Sequence, residues 1–571
     1  MRVVTTDVAV IGGGAAGCYA ALCLRKKGIK PLIICKGLVG KSGASLFAGN
    51  LVLSGRLLGN TEEQARNTAE FLIKYHNQFL IDQEWAKRCG QWIEKNYYRE
   101  LEEAGLYFRR DDEGNVVTSP GKIRSIAANV QGNSGVPFMD LRRKQVLKAG
   151  IERLEETTAT ALLTDEDGKV SGVFCLDIMS GEYVVVRAKA VIMATGYSDR
   201  LHTRSTGTRE MSADGIALAW RAGATLINME MQWWHTNDAA YPPSWQRIQI
   251  YPNPMLGSEK SARMVNAEGE EFFNQQEDDP LAFGPYTVQL KALAKQVRAG
   301  KASYEGGYYA GFDHCDPQEV ENYTTYAKPF RQLGLNFPND MLETAVTSHY
   351  RQGGIDVDIE TMRSSVPGLY VAGGVGGHSN GLIALATYDG FSVAESVAND
   401  LGALASKDIP QQYIDQEARR LTLLRESHGS GLSPIQVKEK IRKMMWEKAG
   451  VEKNANGLQS ALDDIQEIRD HTLPAIRIAN NQKPVNYEWI DAIDAVNMLD
   501  ACELIVQSSL ERKESRGPFF RQDYPLTDNN EWLCANVLQK SGNGIRFSRR
   551  PYALPNFQPG FAVKDNFEVP W

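Results

Sequence analysis

The stretch TTDVAVIGGGAAGCYAALCLRKKGIKPLIICK, residues 5–36, decides the fold of this chain. Its apolar and polar residues alternate in blocks that predict a buried strand over residues 7–11, a helix over residues 15–27 and a second strand over residues 30–35. A strand, a helix and a strand of these lengths form a parallel βαβ unit. The fold class is therefore α/β, beginning at the N-terminus.

Glycines occupy the turn between the first strand and the helix. Gly12, Gly14 and Gly17 have the spacing G-x-G-x-x-G. In a dinucleotide-binding fold the first permits the tight turn, the second lets the backbone approach a pyrophosphate, and the third lets helix and strand pack closely. The helix N-terminus would bind the pyrophosphate through its free N–H groups. A dinucleotide site is predicted, and a plain tight turn is the alternative.

The composition is that of a globular protein of several domains. The chain has 571 residues, of which 43% are hydrophobic and 23% charged, and its formal net charge is −7. Neither a long basic run, as nucleic-acid binding requires, nor an apolar run of the ~20 residues that span a bilayer is present. The eight cysteines never occur as C-x-x-C, which argues against a metal knuckle or an iron–sulfur cluster within the chain. We expect a cytoplasmic protein without a metal site of its own.

Three further stretches indicate which dinucleotide is bound. Cys35 and Lys36 stand where an NAD-binding fold carries an acidic residue for the ribose, which disfavours NAD. The stretches AVIMATG, residues 190–196, and VPGLYVAGG, residues 366–374, each predict a strand that ends in glycine and brings the backbone close to a flat cofactor. An N-terminal βαβ unit followed by such strands resembles the FAD-binding fold of flavoprotein oxidoreductases.

Four segments make this resemblance specific: GKSGASLFAGN (40–50), SADGIALAWRAGATLINMEMQWWHT (212–236), SHYRQGGIDVD (348–358) and KESRGPFFRQDYP (513–525). They resemble, in order, motifs of the succinate dehydrogenase and fumarate reductase flavoprotein family. That wider group includes adenylylsulfate reductase α subunits and L-aspartate oxidases. The resemblance covers nearly the whole chain.

The resemblance implies a Rossmann-like FAD-binding domain, an inserted α+β capping domain and a C-terminal helical domain. The expected boundaries are residues 1–221 and 350–405 for the discontinuous FAD-binding domain, 222–349 for the capping domain, 406–535 for the helical domain and 536–571 for a C-terminal tail. The tail is rich in Pro, Phe and Tyr. It is expected either to wrap the protein's own surface or to dock a partner subunit.

The resemblance also implies which residues bind FAD. Members that attach FAD covalently use a histidine in the loop after the second strand, whereas residues 41–45 of this chain contain none, so the flavin is expected to be bound non-covalently. The predicted cofactor-binding residues are Gly12, Gly14, Ala15, Ala16, Gly17, Lys36, Ser42, Gly43, Ala44, Ser45, Gly49, Ala194, Thr195, Gly196, Asp214, Gly373 and Gly374.

Three histidines are candidates for the substrate site. His235 and His349 stand on the histidines of the family's His-Pro-Thr and His-Tyr motifs, and His378 follows the second glycine-ended strand, where it is expected to face the reactive edge of the flavin. Imidazoles suit the binding of oxyanions, because they donate hydrogen bonds and titrate near neutrality. A histidine packed in the core is the alternative for each.

Two arginines of the family pattern are absent. Lys291 stands at the end of a run that resembles the helix of the family's proton-shuttling arginine, and it is either a general acid or an exposed helix lysine. The carboxylate-clamping arginine after His378 is missing too. Arg516 and Arg521, in the C-terminal motif, are expected near the flavin or a substrate carboxylate, with surface ion pairing as the alternative.

The adjacent residues Trp233 and Trp234 allow several interpretations. One core and one rim residue is the ordinary arrangement. Alternatively, they shape a pocket for an aromatic or adenine-bearing substrate, as the adenylylsulfate reductase branch would need.

The resemblance thus implies an FAD-dependent oxidoreductase that exchanges a hydride at flavin N5 with a small anionic substrate. Electrons would pass to or from a separate, ferredoxin-like iron–sulfur subunit, as in fumarate reductase and succinate dehydrogenase, within a hetero-oligomer. An adenylylsulfate reductase-like α subunit, an L-aspartate oxidase-like enzyme and an electron-transfer subunit without a substrate of its own are the alternatives.

Overall fold

The N-terminal segment forms the predicted βαβ unit. In the computed structural model of the chain, strand β1 (Arg2–Ile11) leads into helix α1 (Ala15–Lys26), which returns to strand β2 (Pro31–Ile34). The structure describes residues 1–49, 52–53, 61–116, 125–126, 134–241, 243–245, 262–273, 286–315, 331, 334–336, 339–378, 381–404, 408–542 and 544–569.

Helices follow in the order α2 (Thr61–Glu70), α3 (Gln83–Trp92), α4 (Tyr98–Glu103), α5 (Gly135–Lys148), α6 (Asp214–Arg221), α7 (Tyr286–Arg298), α8 (Ile383–Asp400), α9 (Gln411–Arg425), α10 (Pro434–Lys448), α11 (Ala455–Glu467) and α12 (Tyr487–Glu511). Wider π-helical turns continue three of them at Phe71–His76, Ile93–Tyr97 and Ile468–Thr472. Short 3₁₀ turns lie at Ala44–Phe47, Pro243–Trp245, Gly373–Val375 and Asn566–Glu568.

The remaining strands are β3 (Val52–Leu53), β4 (Ser125–Ile126), β5 (Glu152–Leu154), β6 (Thr157–Thr164), β7 (Val170–Asp177), β8 (Tyr183–Met193), β9 (Leu226–Ile227), β10 (Gln232–Ala239), β11 (Arg263–Val265), β12 (Glu271–Phe273), β13 (Tyr309–Gly311), β14 (Leu342–Arg351), β15 (Gly354–Ile355), β16 (Val357–Asp358), β17 (Arg363–Ser364), β18 (Leu369–Val371), β19 (Glu452–Lys453), β20 (Phe520–Arg521), β21 (Leu526–Asp528), β22 (Cys534–Ser541), β23 (Gly544–Pro551) and β24 (Val563–Asp565).

A large sheet with the order β16-β17-β18-β8-β1-β2-β5 forms the centre of the fold, and β6 and β7 continue it beyond β8. β1 pairs in parallel with both β2 and β8, and β18 pairs in parallel with β8. The inner residues of β1, Val8, Ala9 and Val10, are fully buried, as expected for a strand covered on both faces. The predicted glycine-ended strands thus close the sheet beside the βαβ unit.

Two glycines make this packing possible. Gly12 has φ +118°, and a Cβ there would lie 2.1 Å from the carbonyl oxygen of Ala194, just after β8. A Cβ on Gly17 would lie 2.0 Å from the carbonyl oxygen of Gly12. Both distances are far below van der Waals contact, so any side chain would push the turn or α1 away from the sheet. The helix-packing role predicted for Gly17 is explained by this contact.

A second sheet, with the order β10-β14-β13-β11-β12, forms the capping region together with α7. This agrees with the α+β content expected there. β14 runs from Leu342 to Arg351 and therefore continues past residue 349, the predicted end of the capping domain. The strand connects the capping sheet directly to the loop that re-enters the large sheet.

Helices α9 to α12 form the C-terminal helical part, and α12 packs against α6, α10 and α11. The described part of the tail lies on the protein's own surface: β23 completes a sheet with β22, β9 and β15, β24 pairs with β21, and Val569 is buried. β22 begins at Cys534 and so crosses the predicted boundary between residues 535 and 536. Within the described residues, no helix combines the length and apolar character that a membrane span needs.

Candidate functional site

A cleft opens at the carboxyl ends of the parallel strands, where Ile11, Ile34 and Ala194 line it. Its empty volume is about 970 Å³. Ligands of open α/β sheets bind at this edge. The predicted cofactor-binding residues that line it are Gly12, Gly14, Ala15, Ala16, Lys36, Ser42, Gly43, Ala44, Ser45, Ala194, Thr195, Gly196, Asp214, Gly373 and Gly374. Gly17 lies behind the turn, and Gly49 is not part of the lining; Asn50, which ends the loop motif, lies outside the described residues.

The cleft fits a dinucleotide. Gly14 offers α1 no side-chain cap and the first turn holds no acidic residue, so no side chain of the helix itself competes with an anion there. Thr195 Oγ1 is buried and has no hydrogen-bond partner among the described residues. Gly196 has φ +76°, and a Cβ there would meet no protein atom within 4 Å, so it would project into open space. These are the features expected of a cradle for a flat ligand with a pyrophosphate.

Lys36 and Asp214 line the cleft as an ion pair. Lys36 Nζ lies 2.9 Å from Asp214 Oδ2 and 2.5 Å from Asp494 Oδ1, and it donates to Ser212 Oγ at 2.8 Å. Burial alone would lower the pKa of Lys36, but the two carboxylates outweigh it and raise the pKa above its ordinary value. Lys36 therefore carries its charge permanently at the position where an NAD-binding fold has an acid.

Several cleft residues were not found from the sequence. Thr157, Thr158 and Ala159 of β6 line the cleft, as do Tyr197 and Glu210. No local motif marks them, because β6 belongs to the antiparallel hairpin and the other two lie in a loop. The run TTAT at residues 157–160, a β-rich segment, was the available signal.

His235 and His349 come together across the capping sheet. Their ring centroids lie 3.8 Å apart, on the neighbouring strands β10 and β14. Thr206 Oγ1 lies 2.7 Å from His349 Nδ1 and fixes that ring, and burial lowers the pKa of His349 to about 3. At neutral pH the His349 ring is therefore uncharged and can act as a neutral hydrogen-bonding group.

This imidazole pair connects to the cleft through aromatic rings. His349 contacts Tyr350 at a centroid distance of 5.1 Å, and Tyr350 contacts Tyr197, a cleft residue, at 5.8 Å. On its other side Tyr350 stacks on Trp233 at 5.3 Å, and His76 lies 5.3 Å from Trp233. The pair thus stands beside the cleft, at the end of a continuous aromatic wall.

His76 was missed from the sequence. It ends the π-helical turn Phe71–His76, its Nε2 lies 3.4 Å from the hydroxyl oxygen of Tyr350, and burial, with a smaller effect of His349, lowers its pKa to about 3. A wide π turn inside a helix often marks a functional position, but the sequence predicts only a regular helix there.

The tryptophans lie on opposite faces of β10. Trp233 belongs to the aromatic wall, whereas Trp234 contacts His202 and Trp446. Both are 1% exposed, so the arrangement of one core and one rim residue is wrong.

His378 has different neighbours. Its Nε2 lies 3.2 Å from Asp389 Oδ2 on α8, and its ring meets Trp85 edge-on at 5.5 Å. In the part of the chain that the structure describes, it makes no ring contact or hydrogen bond with His235 or His349. Asp389 also accepts a hydrogen bond from the Gly373 N–H. His378 therefore supports the glycine turn at the cleft rather than joining the imidazole pair.

Lys291 is buried on α7, so the interpretation as an exposed helix lysine is wrong. Its Nζ donates to the carbonyl oxygen of Val569 in the C-terminal tail at 3.0 Å, and burial lowers its pKa to about 7. The structure thus gives Lys291 a contact that fastens the tail to the capping region. Its role as an acid stays a prediction.

The two C-terminal arginines are engaged within their own segment. Arg516 donates to both carboxylate oxygens of Glu514, at 2.8 and 2.9 Å. Arg521 is paired with Asp523 and donates to the carbonyl oxygens that end α12, those of Ser509, Leu510 and Arg512. Both side chains are buried, so surface ion pairing is wrong for them. We do not retain either as a substrate group, because their hydrogen bonds all go to the protein.

Asp238 is a buried acid close to the imidazole pair. Thr347, which lies opposite His235 in the strand register, donates to Asp238 Oδ2 at 2.5 Å, and Oδ1 has no hydrogen-bond partner among the described residues. Burial raises the pKa of Asp238 to about 7, although Thr347 and Arg204 oppose this. Near neutrality Asp238 can therefore hold or release a proton one side chain away from His235.

Replacing Asp238 by asparagine is expected to change how stability depends on pH. In the unfolded chain this carboxyl titrates near 3.8 and in the folded chain near 7, so between these values the folded state binds the extra proton and stability falls as pH rises. Asp238→Asn should lose this fall, and its melting temperature relative to the native protein should rise between pH 5 and pH 7.5.

Asp313→Asn is the matched control in the capping region, because Arg263 lowers the pKa of this more exposed carboxyl. Its effect should have the opposite sign and lie at lower pH. Parallel melting curves for Asp238→Asn and the native protein over the whole range would contradict a raised pKa at Asp238.

Comparison with known proteins agrees with the geometry. The model of the FAD binding domain family matches residues 7–387, and that of the fumarate reductase flavoprotein C-terminal region matches residues 438–563. The flavoprotein-like relative from Methanothermobacter marburgensis, a subunit of its fumarate reductase (CoM/CoB), is 27% identical over 562 residues, which cover 94% of this chain and 97% of that protein. Sdh1 of Mycobacterium smegmatis, solved in complex with UQ1, has a TM-score of 0.84 at 26% identity and covers 98% of this chain and 96% of that one. The quinol fumarate reductase flavoprotein of E. coli has a TM-score of 0.87 at 20% identity, with 98% and 99% covered, and shows the shared fold alone.

Proposed function

The chain belongs to the FAD binding domain family and is an FAD-dependent oxidoreductase, and from this premise we propose that it is the catalytic flavoprotein of a complex and acts on a small anionic substrate. The observation that carries the proposal is the imidazole pair of His235 and His349 beside the cleft. Bound FAD supplies hydride transfer at its N5 atom. The residues of this chain then have to hold the substrate's negative charge and supply a proton.

The imidazole pair is suited to the first task. A neutral imidazole donates a hydrogen bond from one nitrogen, and such donors, held in place before the reaction, stabilise the charge that develops on an oxyanion. Thr206 fixes the orientation of His349, and the aromatic wall excludes water on the side of Tyr350. Asp238, hydrogen-bonded through Thr347, is our candidate for the proton.

The arginines restrict the substrate class. Because Arg516 and Arg521 are occupied by Glu514 and Asp523, neither provides the planar fork that binds a carboxylate through two parallel hydrogen bonds. We therefore propose a substrate anion recognised mainly through single hydrogen bonds from imidazole. The aromatic wall favours testing adenylylsulfate beside fumarate and succinate, because a planar base can stack on Trp233 or Tyr350.

We propose that the electron partner is a separate iron–sulfur protein, in a hetero-oligomer. The relative from Methanothermobacter is named as part of a multi-subunit enzyme, and the cysteines of this chain do not form a cluster-binding motif. Co-purification of an iron-containing protein with the tagged chain from its native host would support this assembly. The cytoplasmic location stays a prediction, which cell fractionation can test.

An anaerobic substrate screen tests the proposed function. The flavin of the holoprotein is photoreduced, and fumarate, adenylylsulfate and related anions are added while the absorbance of oxidised flavin is followed. We expect one of these anions to reoxidise the flavin within seconds to minutes. Reduced flavin that none of them reoxidises, in a protein whose FAD still accepts electrons from an iron–sulfur protein, would instead indicate an electron-transfer subunit. Peroxide release in air by the isolated chain would favour an oxidase.

A further inference from the structure

A cluster of buried charges lies behind the nucleotide cleft. Asp494 occupies its centre: it accepts from Lys36 Nζ at 2.5 Å and from Lys438 Nζ at 2.9 Å. Lys438 also pairs with Asp491 at 2.8 Å, and Lys36 with Asp214 at 2.9 Å. The side chains of Asp494 and Lys438 are 1% and 2% exposed.

The cluster joins distant parts of the chain. Lys36 follows β2 and Asp214 begins α6, and both line the cleft, whereas Lys438 lies on α10 and Asp494 on α12. The last two are outside residues 7–387, which the FAD-binding family model covers. Asn497, one turn after Asp494, adds a hydrogen bond to Asp214 Oδ1 at 2.7 Å. The C-terminal helices thus hold both charged residues of the cleft wall.

The hydrogen-bond count of Lys36 is complete without a ligand. An ammonium group has three N–H donors. Those of Lys36 go to Ser212, Asp214 and Asp494. Lys36 therefore shapes the cleft wall through its fixed position, and it has no donor left for the nucleotide as long as Asp494 is in place.

We propose that Asp494 is a positioning residue of the FAD site, which fixes Lys36 in the cleft wall from the C-terminal helical part. Without this carboxylate, Lys36 loses one of its two counter-charges in a buried place. Removing one partner of a buried pair leaves an uncompensated charge, which moves toward water if it can. The cleft is the open side of Lys36, so the released ammonium group moves into the space that FAD needs.

The test is the FAD affinity of the apoprotein, measured by quenching of flavin fluorescence. Asp494→Asn is expected to raise the dissociation constant at least tenfold, and Lys36→Met is expected to raise it as well. In the double variant Lys36→Met/Asp494→Asn, the second substitution should add nothing to the first, because Asp494 acts through Lys36. Additive effects, or an unchanged affinity in Asp494→Asn, would overturn the proposal.

Asp500→Asn is the matched control. Asp500 lies on the same helix and ties it to α6 through Arg221 at 2.6 Å, remote from the Lys36 ammonium group. If Asp494 served only to dock α12, Asp500→Asn would weaken FAD binding to the same extent, and that outcome contradicts the proposal; we expect affinity within about twofold of the native protein. Should Asp494→Asn fail to fold, Lys36→Met is compared with the double variant, in which no lysine faces the missing carboxylate at the cleft. Equal affinities of these two support the proposal, and a further loss in the double variant overturns it.

Discussion

Replacement of Gly12 by alanine is expected to yield a protein without flavin. At φ +118° an alanine is strained, which costs on the order of 1–3 kcal/mol. The larger cost is steric, because the new Cβ would lie 2.1 Å from the Ala194 carbonyl oxygen, which is backbone and cannot turn aside. The turn must separate from the end of β8, and this displaces the N-terminus of α1 that faces the pyrophosphate. The measurement is the ratio of flavin to protein after purification and after incubation with excess FAD.

Gly28→Ala is the matched control for the backbone strain. Gly28 also has a positive φ, +80°, but a Cβ there would meet no atom within 4 Å, in the turn that follows α1. This variant should lose stability of about 1 kcal/mol and bind FAD normally. A Gly12→Ala protein that takes up one FAD with native affinity would show that the close approach of β1 and β8 does not build the cleft.

Replacement of His349 by alanine is expected to lower turnover by about 10²–10³-fold, the usual cost of losing one donor to a developing oxyanion. Its FAD content should be unchanged, since His349 is outside the lining of the cleft. The measurement is the rate at which the substrate found in the anaerobic screen reoxidises the reduced flavin. His235→Ala should have an effect of similar size. The double variant should be little worse than either single variant, because the two rings act as a unit.

His314→Ala is the control for the loss of an imidazole in the capping region. His314 is exposed and follows β13, away from the imidazole pair. Its turnover should be native. If His349→Ala reoxidises at the native rate, the assignment of the substrate site to the pair has to be withdrawn.

The sequence predicted those parts of the molecule that depend on neighbours in the chain. Gly12, Gly14 and the residues of the loop 41–45 could be assigned to the cleft because a glycine turn between a strand and a helix has a local signature. The fold class and the FAD site followed from this signature and the order of the glycine-ended strands. Strand ends were less certain, as β8 shows: the hairpin strand and the strand before Ala194 are one continuous element, Tyr183–Met193.

What the sequence could not show depends on partners far along the chain. Lys36 was expected to bind the cofactor directly, but its position is set by Asp494, which lies 458 residues away. Arg521 looked like a substrate group, since nothing in the motif reveals that it caps α12. His378 and His76 exchanged expectations for the same reason, because the packing of α3, α8 and the π turn decides which imidazole reaches Tyr350.

The absorbance spectrum of the purified protein, recorded before and after acid precipitation, tests the cofactor assignment most directly. A yellow protein with the bands of oxidised flavin is expected, and acid should release all of the flavin into the supernatant as FAD, because the loop after β2 has no histidine for a covalent link. A colourless protein that takes up no FAD, or a flavin that stays with the precipitate, would contradict it.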